Sequence, residues 1–469
     1  MKRRKELLKD IPEPIKVLAN RTAEEGGSLY IVGGWVRDRI MGEDCKDIDL
    51  ATSLTPDKIK KVCEGLGTIY EYGEKFGTIG LKSGDYTFEI TMLRSEEYKS
   101  GSRHPEVKPA SSIMEDLKRR DFTINSLALC LHPDTGKLLD PFGGIKDIER
   151  GIIRAVGKPH ERMVEDPLRM LRAIRFSAQL GLEIEEELVE ILKDDANLLS
   201  GVSPERKRDE LERILVSKEA GSGIRNLIET GICNFLIPEV SQMKGVEQPS
   251  AYHRASVLEH TILTMQEILP EPLLRRAALF HDIGKPQTKV TEPKLMFPEH
   301  EKVGEEITRR AMKRLKYSNE EIRKTAFLVR KHMRPIHYER KWSDAAVRRL
   351  IRDCTLIEGE VVLVSLEDFL ALARADIRAG ALEKVKYFLG LLSDLERRVT
   401  EIRKVQEVEK IRSPLDGREL MELTGRQPGK WIESVKKYLV ELVISGVLEE
   451  NDKEKAKIMA LEFLDSQET

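Results

Sequence analysis

Alternating apolar residues bounded by glycine and proline crowd into residues 28–145, and beyond about residue 150 the chain reads as one helix after another. Strands gathered at one end and helices at the other predict an α+β fold, with a small N-terminal head of mixed sheet plus helices followed by a long all-α body. Strands are expected at 28–32, 47–51, 76–81, 86–91, 127–131 and 138–139, the third and fourth forming a hairpin around Ser83-Gly84. Residues 1–25 predict one amphipathic helix through Leu7, Leu8, Ile11, Ile15 and Leu18. The sharp break at Pro141-Phe142-Gly143-Gly144 ends the head. With further interruptions at 201–204, Pro238, 286–298 and 413–417, the expected domains are a head at 1–148, a helical neck at 149–240, a helical domain at 241–390 and a helical tail at 391–469.

A net charge of −2 excludes a polybasic binder, so any contact with nucleic acid must come from local patches. Three basic stretches qualify: 154–175, 309–316 and 330–349. The five cysteines are scattered without C-x-x-C spacing, which points away from a zinc ribbon or disulfide framework and fits a reducing compartment. No apolar run approaches the ~20 residues that span a bilayer, and the basic segment 1–9 leads into no apolar signal core. The expectation is a soluble, cytoplasmic protein with no membrane partner.

The first chemical constellation is Gly33-Gly34 after an apolar strand, with Arg37 three residues on. Paired glycines let backbone N–H groups approach a triphosphate, a helix start favours the anion, and Arg37 adds a bidentate contact. Asp47 and Asp49 then face one side of a strand. Two neighbouring carboxylates repel unless a cation lies between them, and Mg²⁺ prefers such oxygen ligands together with substrate phosphates. Two such ions can activate a hydroxyl and steady a pyrophosphate leaving group. Glu89, between Phe88 and Ile90, is a candidate third carboxylate. Arg120 and Asp121 suit a phosphate and a sugar hydroxyl, although the same stretch reads as a capped helix start.

Taken in order, G-G-W-V-R-D at 33–38, D-I-D-L-A-T at 47–52, R-R-D-F-T-I-N at 119–125, D-P-F-G-G at 140–144 and E-D-P-L-R-M-L-R-A-I-R-F at 165–176 resemble the class II CCA-adding enzyme and bacterial poly(A) polymerase family of polymerase-β-like nucleotidyltransferases. Asp166 and Arg169, three apart on a predicted helix, share a face. A carboxylate accepting from an exocyclic amino group and a guanidinium donating to the adjacent ring acceptor select cytosine and adenine and reject uracil and guanine. The resemblance implies the same role for this pair. Arg172 and Arg175 continue the stripe and are expected to meet the triphosphate or the acceptor end. The resemblance also implies that 95–112 is a flexible loop assisting the switch from C to A.

In the body, His260, His281-Asp282, His300, His332 and Asp376 can build a divalent transition-metal site in a helical bundle. They resemble the HD phosphohydrolase family, which implies a primary set of His260, His281, Asp282 and Asp376, and a second metal at His300 and His332. His253, seven residues before His260, reads as structural. S-P-L-D-G-R-E-L at 413–420 and Q-P-G-K-W-I at 427–432 resemble the family's tRNA-contacting tail, with turn residues leaving N–H groups open to phosphate.

Together these readings predict a template-independent tRNA nucleotidyltransferase that adds C, C and A from CTP and ATP by a two-metal mechanism, with tRNA and no DNA as partner. The alternatives are a poly(A) polymerase or A-only adding enzyme on the same scaffold, an HD phosphohydrolase whose head only binds RNA, and a non-catalytic RNA chaperone.

Overall fold

The computed structural model describes residues 7–8, 11–70, 77–97, 106–110, 112–249, 255–410, 413–444, 447–449 and 451–467. The α+β division stands, with the main sheet in the head and helices through the body. The head strands are β1 (Leu29–Val32), β2 (Asp47–Thr52), β3 (Thr68–Tyr70), β4 (Thr78–Ser83), β5 (Tyr86–Met92), β8 (Ala128–His132) and β9 (Leu138–Leu139), with β6 (Arg94–Glu97) and β7 (Glu106–Pro109) paired apart. Seven of them form one sheet in the order β3-β4-β5-β2-β1-β8-β9. Only β2–β5 is parallel within it.

That register follows from burial. Ile48 and Leu50 of β2, Phe88 and Ile90 of β5, and Ile79 and Leu81 of β4 pack into one apolar cluster with Trp35, Ile15 and Leu18. Burying each large side chain stabilises by about 1.5–3 kcal/mol. A slip of one residue would put Asp47 and Asp49 into this layer, so the pattern holds them on the opposite, open face.

The N-terminal expectation needs correction. Leu7 and Leu8 are helical, but the continuous helix is Glu13–Glu24, because Pro12 and Pro14 interrupt any run from residue 7. Leu7, Ile11, Ile15 and Leu18 are nonetheless buried. Strands also occur where none was expected: β3, the β6–β7 ladder, a two-residue parallel pair at Ile152–Ile153 and Glu183–Ile184, and a hairpin at Leu356–Glu358 and Val361–Val364. Residue 76 of the expected third strand, His253, and residues 98–105 and 111 of the expected 95–112 loop lie outside the described residues.

The chain divides into two compact units, one of residues 1–332 with 371–384, the other of 333–370 with 385–469. The expected boundaries after 148 and 240 both fall inside the first unit. In the second, Leu415, Leu420, Val435, Leu439, Ala456 and Ala460 form a core of their own. Asp416 caps the Gly417–Thr424 helix by accepting from the N–H groups of Arg418 and Glu419, so those amides are taken rather than open to phosphate.

Candidate functional site

Parallel pairing sets Glu89 of β5 directly beside Asp49 of β2, with Asp47 two residues along the same face. All three carboxylates remain open to solvent. Enough protein surrounds Asp49 that burial raises its pKa, and Glu89 and Asp47 add to the shift against Arg120 and Arg37. Like charges that the neighbouring arginines only partly offset are what a bound cation relieves. No group of three with ligand atoms within 4.8 Å includes these residues among those described.

Gly33 closes the site from above. Its φ of +70° and ψ of −125° exclude other residues, and a Cβ would lie 2.7 Å from an Arg120 guanidinium nitrogen and 3.8 Å from Asp49 Oδ2. The Gly33 N–H donates to Leu127 O at 3.0 Å, so the amides presented to an anion are those of the helix Gly34–Met41. Arg120 is held by Asp116, which also takes Arg119. Burial would raise the pKa of Asp116, but the two guanidiniums outweigh it and lower it.

Behind this face lies a polar chain. Arg37 donates to Asp38 at 2.8 Å and to Asn125 Oδ1 at 2.6 Å. The Asn125 amide donates to Asp121 Oδ1 at 3.1 Å, and Asp121 Oδ2 accepts from Arg172 at 2.7 Å. Asp121 Oδ1 also accepts from the Phe122 N–H. Burial pushes the Asp121 pKa up, yet Arg172 and these donors outweigh it and hold it below the ordinary value. Asp121, expected at a sugar, is thus engaged by protein donors on both oxygens. Arg37, Arg172 and Arg175 all stack on the Phe176 ring, at 5.4, 5.4 and 4.3 Å. Arg175 is buried and donates to Glu210, away from any open surface. Burial pushes Arg175 down to about 10, against the opposing charge of Glu210.

Asp166 and Arg169 do not lie on one helix. The helix Pro159–Glu165 ends before Asp166, and the next, Leu168–Leu180, begins after Pro167. A residue preceding proline is driven out of the α region, and Asp166 has φ −144° and ψ 99°. Its Oδ1 accepts from Leu168 N and its Oδ2 from Arg206 at 2.8 Å. Arg169 donates to Glu165 at 2.6 Å and to the carbonyls of Arg162 and Arg119. Sequence reasoning gave no role to Arg206, Asn125, Phe176 or Glu210. Asn125 stood inside the R-R-D-F-T-I-N run four residues from Asp121, and that spacing was a usable signal. Of the basic stretches, Arg309 pairs with Glu305 and Arg314 with Glu239.

The histidines converge as two groups, His260/His281/Asp376 and Asp282/His300/His332, the ligand atoms of each lying within 4.8 Å. Asp282 borders both groups: its Oδ2 lies 3.2 Å from His281 Nε2 and 3.9 Å from His260 Nε2, and its Oδ1 lies 3.5 Å from His300 Nε2. Three rings are oriented alike: the Nδ1 atoms of His281, His300 and His332 face the carbonyls of Ala278, Phe297 and Val329 at 2.8, 3.0 and 2.8 Å. Donation from Nδ1 leaves the Nε2 lone pairs pointing inward, as metal ligation requires. The Nε2 atoms of His300 and His332 stand 3.4 Å apart. His281 Nε2 is 3.2 Å from Asp282 Oδ2, and His260 Nε2 is 2.8 Å from Asp376 Oδ1. Burial, with His300 and His281 as like charges, pushes His332 down to about 3, so it is neutral and competent as a ligand. Ser256 caps the helix Val257–Glu267 that carries His260. Gly284 is fixed by close approach, since a Cβ there would lie 2.1 Å from His300 O. Lys285, also unread from the sequence, donates to Asp282 and Gln248 at 2.6 Å each.

Comparison with known proteins agrees with this layout. Residues 29–154 match the poly A polymerase head domain, 181–244 the probable RNA and SrmB-binding site of polymerase A, and 253–368 the HD domain. The CCA-adding enzyme of Bacillus subtilis is 40% identical over 239 residues, which are 51% of this chain and 56% of that protein. That of Enterococcus faecalis is 35% identical over 277 residues, 57% of this chain and 66% of that protein. The chain thus spans about half to two thirds of the length of the curated relatives it matches. The crystal structure of the Bacillus stearothermophilus CCA-adding enzyme in complex with CTP covers 98% of this chain and 99% of its own, with a TM-score of 0.60 at 23% identity, a likeness of fold. Among the described residues no helix is long and apolar enough to cross a membrane. Residues 29–154 are therefore similar to the poly A polymerase head domain, and the segments that follow are similar to a polymerase A RNA-binding site and to an HD domain.

Proposed function

We propose that this protein is a template-independent nucleotidyltransferase that adds C, C and A to the 3′ end of tRNA from CTP and ATP in the cytoplasm. The observation that carries the reading is the pairing of Asp49 with Glu89 on adjacent parallel strands, with Asp47 on the same face and the Gly33 backbone and Arg120 beside them. Asp47, Asp49 and Glu89 would hold divalent cations, Mg²⁺ by preference, which supply charge neutralisation for the pyrophosphate and acidify the attacking 3′ hydroxyl. Arg37, Arg120 and the amides of the Gly34–Met41 helix bind and orient the triphosphate. Asp121, held by Asn125 and Arg172, would meet the sugar. Asp166 accepts from the exocyclic amino group of cytosine or adenine, and Arg169 donates to the neighbouring ring acceptor. The Arg206 contact to Asp166 must yield for this, and an exposed ion pair costs only about 0–1 kcal/mol to break.

The test offers the pure protein a tRNA lacking its terminal CCA, with each labelled nucleotide singly and in combination, and sequences the ends. Ordered addition of C, C and A is expected. Addition of A alone, or of long A tails, moves the assignment to an A-only enzyme or a poly(A) polymerase.

The histidine site supports a second activity in the same chain, hydrolysis of terminal or cyclic phosphates at a divalent transition metal. Its support is the three inward Nε2 atoms around Asp282. Metal content of the parent and of His281→Ala, measured by plasma mass spectrometry, tests the site, and phosphate release from 2′,3′-cyclic ends tests the chemistry.

A further inference from the structure

Lys285 is 6% exposed and held on three sides. Its Nζ donates to Asp282 Oδ2 and to Gln248 Oε1, at 2.6 Å each, and stands 5.5 Å from the centre of the Phe297 ring. Gln248 Nε2 donates to Ala255 O, so the amide is fixed with its oxygen toward Lys285. The set His260, His281 and Asp376 has a carboxylate of its own, and Asp282 Oδ2 faces it. The set Asp282, His300 and His332 has Asp282 alone. Glu301 Oε2 lies 3.8 Å from His300 Nδ1, but Glu301 is paired with Arg330. Ligating imidazoles are neutral. Two carboxylates and one ammonium therefore leave the pocket with a single negative charge. One divalent ion turns that into a single positive charge. A second would raise it to three, in an interior where uncompensated charge is costly.

We infer, on the reading of these histidines as a metal site, that Lys285 stands in for a second cation and limits the site to one divalent ion, held among His260, His281, Asp282 and Asp376. His300 and His332, expected to hold a second metal, then line the pocket without an ion of their own. The set they form brings no negative charge beyond Asp282, and Asp282 is already shared with the first ion and with Lys285. The ammonium takes a lone pair of the one carboxylate that both ions would need, and its charge repels the second across the pocket. Gln248 and Phe297 keep it from swinging aside, the amide by a hydrogen bond and the ring through its quadrupole.

Cobalt is the probe, with excess Mg²⁺ present to fill the head carboxylates. Bound Co²⁺ per chain is counted at saturation by equilibrium dialysis and plasma mass spectrometry, and each protein is checked for a cooperative thermal melt. The parent is expected to hold one ion. Lys285→Gln and Lys285→Met, which remove the charge, should hold two, the second bound about 100-fold or more tighter than in the parent, the scale of one buried unit charge acting on a divalent ion. Lys285→Arg, which keeps the charge, should stay at one. A parent that holds two ions overturns the role of Lys285 whatever the variants do. One ion in the parent and still one in both folded neutral variants overturns it too, and leaves the metal reading standing. Two ions in Lys285→Arg would show that shape rather than charge sets the count, which also overturns it. A parent that holds no cobalt overturns both readings together.

Discussion

Gly33 shows how a single backbone conformation can hold a site open. Its φ of +70° is strained for any L side chain, and the space a Cβ would need is filled by the guanidinium of Arg120. Gly33→Ala is expected to reduce nucleotide incorporation by about 10²-fold, the scale of a 1 Å misplacement at a reacting centre, and to lower stability by about 1–2 kcal/mol. Incorporation rates and urea denaturation measure the two separately. Asp116, fully buried beneath Arg119 and Arg120, gives a pH signature. Its folded pKa is depressed, so it contributes stability above its unfolded value of about 3.9, and this is lost as pH falls through the lower folded value. Asp116→Asn should therefore be less stable at pH 7 and lose stability less steeply on acidification below about pH 4, as followed by denaturation at stepped pH. At this scale the sequence was readable wherever alternation alone decides the face. Asp47 and Asp49 share a side because a strand repeats every two residues. The pairing of Glu89 with Asp49 depends on which strand lies next to which, and that is absent from local pattern.

Two helices of the body are joined by Arg175 and Glu210, both buried, with Arg175 Nε and Glu210 Oε2 lacking hydrogen-bond partners. Burial raises the pKa of Glu210, with Arg175 opposing the shift. Removing one partner strands the other charge in the interior, so Arg175→Ala or Glu210→Ala should each cost about 3–5 kcal/mol, while Arg175→Met combined with Glu210→Leu should cost far less. Urea denaturation of the four proteins measures the difference. Element boundaries were the least legible part of the sequence. The stripe from Asp166 to Arg175 has helical spacing, but Pro167 cuts it and leaves Asp166 extended between two helices. Pro167 restricts the residue before it to extended backbone, and that restriction outweighs the periodicity. The strands β6 and β7 carry charged residues where alternation needs apolar ones, and the hairpin at 356–364 is short and exposed, so neither had a signal to give.

Over the whole molecule, the strand-rich head and helical body were legible because the change of period is abrupt. The two compact units were not, since the second takes residues from either side of 371–384. The histidines were recognisable by type, but which of them share a carboxylate is a property of packed helices. Asp282 stands at the junction of the two groups, 3.2 Å from His281 and 3.5 Å from His300. The head carboxylates and the histidines draw on separate elements, so their losses should be separable. Asp47→Ala is expected to abolish nucleotide addition and leave bound transition metal at the parent level. His281→Ala should lower metal content while nucleotide addition persists. Metal analysis and primer extension on the same preparations check both halves.

On the proposed reading, in which Asp166 accepts from the incoming base, its contact with Arg206 gives the resting protein a stand-in for that ligand. A guanidinium N–H occupies the acceptor that an exocyclic amine would claim, so a correct base trades one donor for another and an incorrect one, bringing a carbonyl, has nothing to exchange. Discrimination then works as a swap at an occupied seat, in which the wrong guest leaves the host's own arm in place.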